Sequence, residues 1–425
     1  MRLTDVAAAE LPRKITMRKR TLIIVASSIV IIGLLVGGYI FFFSSSAELT
    51  VTDDPFGGLE GDLAGGLEEM DQGAGTEVAP RFLRISDRPV AEGAVAFTFV
   101  ATTTVTVETA SGTPELAETT TTDTEIRFID RASGNIYRFR AHERSLVRIT
   151  NKTLPGVQQA SWLPDGSVAY ARFLQDVSGT EQVATYVLPA TGEGQGGFFL
   201  EQGLAQATVT GSSTLFTLLS GTTGSVGSVS RSDGTNARTL FTSPLASLLV
   251  RPARENFFAY TKASFALDGY AFQINATSGG FSRILGPARG LSVLPSPDGS
   301  RVLYSYLDRG TIRLAVFDMT SRSSTALPVA TLTEKCAWVS DGSGVYCGVP
   351  TSLSQGLPDF WYQGAAVFTD RIWRIDMQER LATLVVDPRA VADVSIDAVA
   401  LTTDPAEDVL VFTDKHTGTL WSYDL

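Results

Sequence analysis

One short strand recurs along this chain and limits what it can fold into more than any other feature. Its copies carry an aromatic or large apolar residue at alternate positions: Ile136-Tyr137-Arg138-Phe139, Thr185-Tyr186-Val187-Leu188, Ala271-Phe272-Gln273-Ile274, Leu314-Ala315-Val316-Phe317, Ile372-Trp373-Arg374-Ile375 and Leu420-Trp421-Ser422-Tyr423. A weaker copy lies at Ser228-Val229-Ser230, and successive copies start 49, 43, 43, 43, 58 and 48 residues apart. Alternation with a period of two over such short runs points to strand rather than helix. A unit of roughly 40–45 residues holding four strands cannot bury its own faces and must stack on its copies, as the blades of a propeller do. Repetition also answers the length. The chain has 425 residues, too many for one ordinary core unless that core is repeated.

Each unit divides into strands a to d. Ala160-Ser161-Trp162-Leu163 reads as an a strand and Val168-Ala169-Tyr170-Ala171 as its b strand, with Asp165-Gly166 supplying the positive φ that a tight turn needs. Pro297-Asp298-Gly299 and Ser340-Asp341-Gly342 repeat this arrangement, so Asp165, Asp298 and Asp341 are turn formers rather than ligands. The last unit runs a to c and stops at Leu425. The first is complete without Arg81-Phe82-Leu83-Arg84-Ile85. The expected fold is therefore all-β: a seven-bladed β-propeller, with six or eight blades as alternatives, closed by the N-terminal strand 81–86 completing the last blade. Closure of this kind covers edges that would otherwise pair with other chains.

These turns and strands resemble the TolB-type and WD-like β-propeller repeats of bacterial envelope proteins. The likeness rests on Trp162-Leu163-Pro164-Asp165-Gly166, Pro295-Ser296-Pro297-Asp298-Gly299 and Trp338-Val339-Ser340-Asp341-Gly342, and it covers most of 81–425. It implies a propeller with a tendency to bind proteins or peptides. The chain departs from that pattern in carrying an anchor and linker where a partner domain would precede the propeller, and in having no hydrolase domain after it.

Residues 21–43 hold 23 residues without a charge, long enough for one transmembrane helix. Residues 1–20 carry six basic against two acidic side chains, and no Lys or Arg occurs from Thr21 to Pro80. The positive-inside rule then places 1–20 in the cytoplasm and the rest outside, at the cell membrane in single-pass form. A cleaved signal peptide ending near Ser45-Ser46-Ala47 is the rival reading, although the apolar stretch is long for one. Residues 44–80 carry nine acidic groups, no basic ones and many glycines, the composition of a linker. The propeller occupies 81–425. Net charge is −11, so nucleic acid is not an expected partner.

Cys336 and Cys347, the two cysteines, flank the Ser340-Asp341-Gly342 turn and would lie almost opposite each other on a hairpin. A disulfide, which an exported compartment permits, and two buried thiols are both open readings. His142 and His416 fall in turn regions of the first and last units. No nucleophile elbow, P-loop, HExxH or EF-hand loop is present, so no catalytic, metal or cofactor residue is assigned.

Two insertions stand out, since loops on a rigid scaffold carry function disproportionately. Residues 101–123 read as an extended hairpin, with Thr102–Val107 pairing against Leu116–Thr122. Residues 350–370 contain Asp359, Phe360, Trp361 and Tyr362. Three adjacent aromatics cannot all point inward from a strand; they either plug the face of the ring or await a partner. Strand a positions read as mostly Ala, Ser, Leu and Val, which argues against a catalytic channel. The expected function is a membrane-anchored extracytoplasmic scaffold that binds a protein or peptide at the cell envelope. The alternatives are an exported enzyme using channel carboxylates, and a surface-layer or assembly component.

Overall fold

The structure, a computed structural model, describes residues 80–108, 114–190, 196–211, 213–254 and 256–425. The basic tail, the apolar stretch 21–43 and nearly all of the linker lie outside the described residues. Among those described, no helix is long and apolar enough to cross a membrane.

The strands form seven four-stranded sheets, each paired between neighbours in antiparallel fashion. Sheet one runs Val95–Glu108, Pro114–Ile129, Ile136–Arg140 and Ser145–Arg148. Sheets two to five begin at the innermost strands Val157–Trp162, Leu204–Thr210, Leu248–Ala253 and Ser292–Pro295. Sheet six is Cys336–Trp338, Gly344–Pro350, Asp370–Asp376 and Ala382–Val386. Sheet seven takes Ala398–Thr403, Val409–Asp414 and Leu420–Asp424 from the end of the chain, and its outermost strand, Phe82–Arg84, from the beginning. Phe82 lies opposite Tyr423 and Arg84 opposite Trp421, and the Phe82 and Trp421 rings stack at 4.9 Å.

The core is divided in the same way. Between sheets three and four lie Phe216, Val229 and Phe241 against Val250, Phe257 and Ile274. Between sheets seven and one, Val411 and Leu420 meet Ile126, Phe128 and Phe139. Each neighbouring pair of sheets, including seven and one, has its own apolar cluster of this kind. Apolar area buried between faces at about 25 cal/mol per Å² is thus spread over repeated interfaces instead of one centre.

The turns explain the sequence punctuation. Asp165, Asp298 and Asp341 each accept a hydrogen bond from the backbone N–H two residues on, and the glycine between has φ of +68°, +72° and +75° respectively. In sheet one the first two strands pair continuously from Val95–Arg127 to Glu108–Pro114, so insertion 101–123 is a two-stranded extension of the sheet. Cys336 and Cys347 sit opposite each other on adjacent strands of sheet six and are joined by a disulfide.

Candidate functional site

In antiparallel four-stranded sheets, the chain enters the innermost strand and leaves the second strand on the same side. The connections before first strands and those between second and third strands therefore share a face. On this face the 350–369 loop of sheet six folds over the centre of the ring. Asp359–Tyr362 forms a single helical turn.

The three aromatics take different roles. Trp361 is buried in a cluster with Leu332, Leu357, Phe368 and Val399. Its indole N–H donates to Asp397 at 2.9 Å, and the same carboxylate accepts the Phe368 N–H at 3.1 Å. The Lys415 ammonium donates to the Trp361 carbonyl at 2.7 Å and stands 4.4 Å from the ring centre. The Tyr362 hydroxyl donates to Glu334 at 2.5 Å, and burial followed by the nearby Glu334 charge pushes its pKa well above the usual phenol value. Asp359 accepts the backbone N–H of Phe265, from the loop between the second and third strands of sheet four. Phe360 alone stays in solvent, 48% exposed. The sequence groups the four residues; the structure separates them into three ties and one exposed ring.

Phe360 is not isolated. Phe265, Leu267 and Val367 are also exposed, and the Asp359–Phe265 hydrogen bond holds the two loops that carry these residues together. The result is an apolar patch on a fixed base.

Beneath the loop lies a polar cluster that the sequence did not announce. Lys335 is fully buried, with its ammonium 2.7 Å from Asp370 and in a short ion pair with Asp397, and it donates to the Ala398 carbonyl at 3.1 Å. Asp370 also accepts the Ala398 N–H, while its second oxygen has no hydrogen-bond partner. Burial pushes the Asp370 carboxyl up to about 6, against the pull of Lys335. Glu334 accepts Tyr362, Ser292 and Thr333 hydroxyls. Glu92 keeps solvent contact yet is surrounded by protein; burial raises its pKa, opposed by the charges of Arg251, Arg131 and Lys415. Arg251 faces the buried Tyr260 hydroxyl. The inner strands were expected to offer mostly Ala, Ser, Leu and Val. Arg251 is an exception within such a strand, and the reading did not reach Glu92, Glu334, Lys335 and Asp397, which stand just before inner strands rather than within them.

Most of this cluster is occupied. Glu334, Lys335, Asp397 and Lys415 fasten the loop. Among the described residues no group of His, Cys, Asp and Glu side chains could hold a metal ion. His142 and His416 are exposed, and the backbone N–H of each donates to a turn carboxylate, Asp123 and Asp414 respectively.

No protein-family model matches the sequence, and no curated protein matches it. Solved structures do share its architecture. An oligogalacturonate lyase from Vibrio parahaemolyticus is 10% identical, covers 82% of this chain and 94% of its own, and superposes with a TM-score of 0.51. The β-propeller domain of Swd1 from Myceliophteria thermophila is 9% identical over 71% of this chain and 93% of its own, with a TM-score of 0.44. TolB from Acinetobacter baumannii is 9% identical over 77% of this chain and 80% of its own, with a TM-score of 0.40. At such identities the likeness is one of fold alone: an all-strand chain with propeller proteins among its structural neighbours.

Proposed function

We propose that this chain is a membrane-anchored, extracytoplasmic seven-bladed propeller that captures a protein or peptide partner on the face carrying Phe360. The observation that carries the reading is the apolar patch of Phe360, Phe265, Leu267 and Val367, built on a loop that several buried polar ties hold in place. Exposed aromatics on a pre-organised base lose little entropy on binding and are the usual anchors of interfaces. The seven sheets and their closing strand support the blade count. The uncharged stretch 21–43 between a basic tail and an acidic linker supports the anchor, with 1–20 cytoplasmic and 44–80 as spacer.

A photo-crosslinking residue placed at Phe360, and separately at Phe265, in intact cells should each give a discrete protein adduct. The same residue at an exposed position on the opposite side of the ring, such as Asp165, should give none. An absence of adducts at both phenylalanines in a folded, membrane-localised chain sinks the reading. Phe360→Ala is the clean substitution, because Trp361 and Tyr362 hold the loop together and their removal would disturb the fold.

One observation favours a second reading, an exported enzyme: burial raises the Glu92 carboxyl pKa while the Arg251 guanidinium lies within electrostatic reach of it. A carboxyl poised nearer neutrality beside a guanidinium is an acid–base arrangement.

A further inference from the structure

The repeat supplies its own control for what is missing in sheet six. In five sheets the second residue of the recurring motif is an aromatic ring; in three of them the outermost strand covers it with a phenylalanine, and in sheet one, where Leu146 and Arg148 stand on that strand instead, Tyr137 is stacked by Phe128 of the second strand. In sheet seven, Phe82 sits opposite Tyr423, two residues on from Trp421, and stacks on Trp421 at 4.9 Å. In sheet four, Phe281 sits opposite Ile274, two residues on from Phe272, and meets Phe272 edge-on at 5.8 Å. In sheet two, Phe199 lies opposite Tyr186 and meets it at 4.9 Å.

Sheet six has the ring but not the cover. Trp373 occupies the motif position, and the residue opposite Ile375, two residues on, is Ala382. Among the described residues no other ring contacts Trp373, although Leu384 is directly opposite it on the outermost strand. Where a phenylalanine would lie there is a groove of about 610 Å³, lined by Trp373, Ala382, Leu353, Leu381, Arg371 and Arg380 among others. That volume falls within the range of roughly 300–1,000 Å³ typical of ligand sites. The corresponding groove in sheet two, partly filled by Phe199, is smaller, about 400 Å³.

The groove's chemistry narrows the occupant. Its walls are apolar, with Leu381 59% exposed at the rim. Its charged groups are two arginines, and no Asp or Glu lines it. Arg371 is paired with Asp387 at 2.6 Å, while Arg380 has no ion pair among the described residues. The outer edge of Ala382–Val386 is unpaired, since that strand ends the order of sheet six. A free strand edge offers backbone groups to an extended chain.

We propose that this groove binds an extended peptide segment of a partner, which lays an aromatic side chain on Trp373 in the place of the absent phenylalanine and sets an adjacent carboxylate against Arg380. The partner thereby supplies what sheets four and seven carry in themselves. The site is separate from the Phe360 patch, so loss of crosslinks at Phe360 leaves it standing.

The test uses the full-length chain with its five tryptophans fluorine-labelled, the Trp373 signal being assigned with Trp373→Phe. The probe is the peptide acetyl-Asp-Phe-Asp-amide. Its titration should shift the Trp373 signal saturably. Acetyl-Lys-Phe-Lys-amide should bind about tenfold more weakly, and acetyl-Asp-Ala-Asp-amide should leave the signal in place. Ala382→Phe, which restores the residue of the other sheets, should abolish the shift while leaving the remaining tryptophan signals unmoved. Three outcomes would overturn the proposal: no Trp373 shift up to roughly 10 mM peptide, a weaker limit than any useful recognition; binding that survives Ala382→Phe or ignores the flanking charge; or a Trp373 shift that follows protein concentration without peptide, which would put a second copy in the groove.

Discussion

Lys335 has no exposed surface, and two carboxylates answer it. One cation against two acids leaves a net negative charge in a dry place, and Asp370, with one oxygen unsatisfied, responds by holding its proton more tightly. Its folded pKa of about 6 stands above the ordinary carboxyl value of 3.8, so the folded state binds the proton better than the unfolded chain does. The contribution of Asp370 to stability is therefore greatest below pH 4 and is lost as pH rises through about 6. Thermal unfolding of Asp370→Asn should show a smaller loss of stability between pH 5 and pH 7 than the parent chain. Parallel pH profiles for the two proteins would refute the assignment. None of this was visible in the sequence. Lys335 and Asp397 stand on two separate connections and Asp370 at the start of a strand, and no local spacing reports that the fold brings them together. Aliphatic inner strands could be read from alternation; the charges at their entrances could not, because a charged residue before a strand looks like any solvated loop residue.

Among the elements, Cys336–Trp338 is a weak strand on its own, three residues long, and the covalent bond to Cys347 pins it to its neighbour. The bond closes a loop with a sequence separation of 11, for which chain-entropy arguments give a stabilisation of about 3 kcal/mol. Replacing both cysteines by alanine should lower the unfolding free energy by an amount of that order, seen as a fall in the denaturation midpoint, and adding reductant to the parent protein should have the same direction of effect. A variant as stable as the parent would show that sheet pairing alone secures the strand. The placement of the two cysteines opposite each other followed from their spacing about an Asp-Gly turn. The aromatic loop was legible only in part. Three neighbouring rings announced that some must leave the core, but which one remains outside depends on Asp397, Glu334 and Lys415, each distant in sequence. The uncovered Trp373 needed even more: its vacancy appears only when the outermost strands of several sheets are compared in register.

Across the whole domain, ring closure is the main determinant. The count of strands, one short in the last unit and one spare before the first, makes the pairing of Phe82–Arg84 with Leu420–Asp424 readable in the sequence. Phe82→Ala removes the ring stacked on Trp421 and should destabilise the domain by about 2 kcal/mol, less than a fully buried phenylalanine because Phe82 is half-buried. Deleting 81–86 should go further and produce concentration-dependent association, since the last strand then presents an open edge. A monomeric deletion variant with unchanged stability would show that the closing strand is dispensable.

The same pairing has a consequence in time. Arg81 donates to the backbone of Asp424, 343 residues away. The first of the described strands thus waits on one of the last, and contacts of such long separation form slowly. While the chain is being synthesised, sheet seven does not exist and its future outer strand has nothing to pair with. A chain that stops even a few residues early leaves Phe82–Arg84 unmatched and the ring open, and open rings expose what proteases and chaperones recognise. The closure thereby ties the edge of Phe82–Arg84 to the arrival of Leu420–Asp424: until that strand is made and placed, both edges stay open.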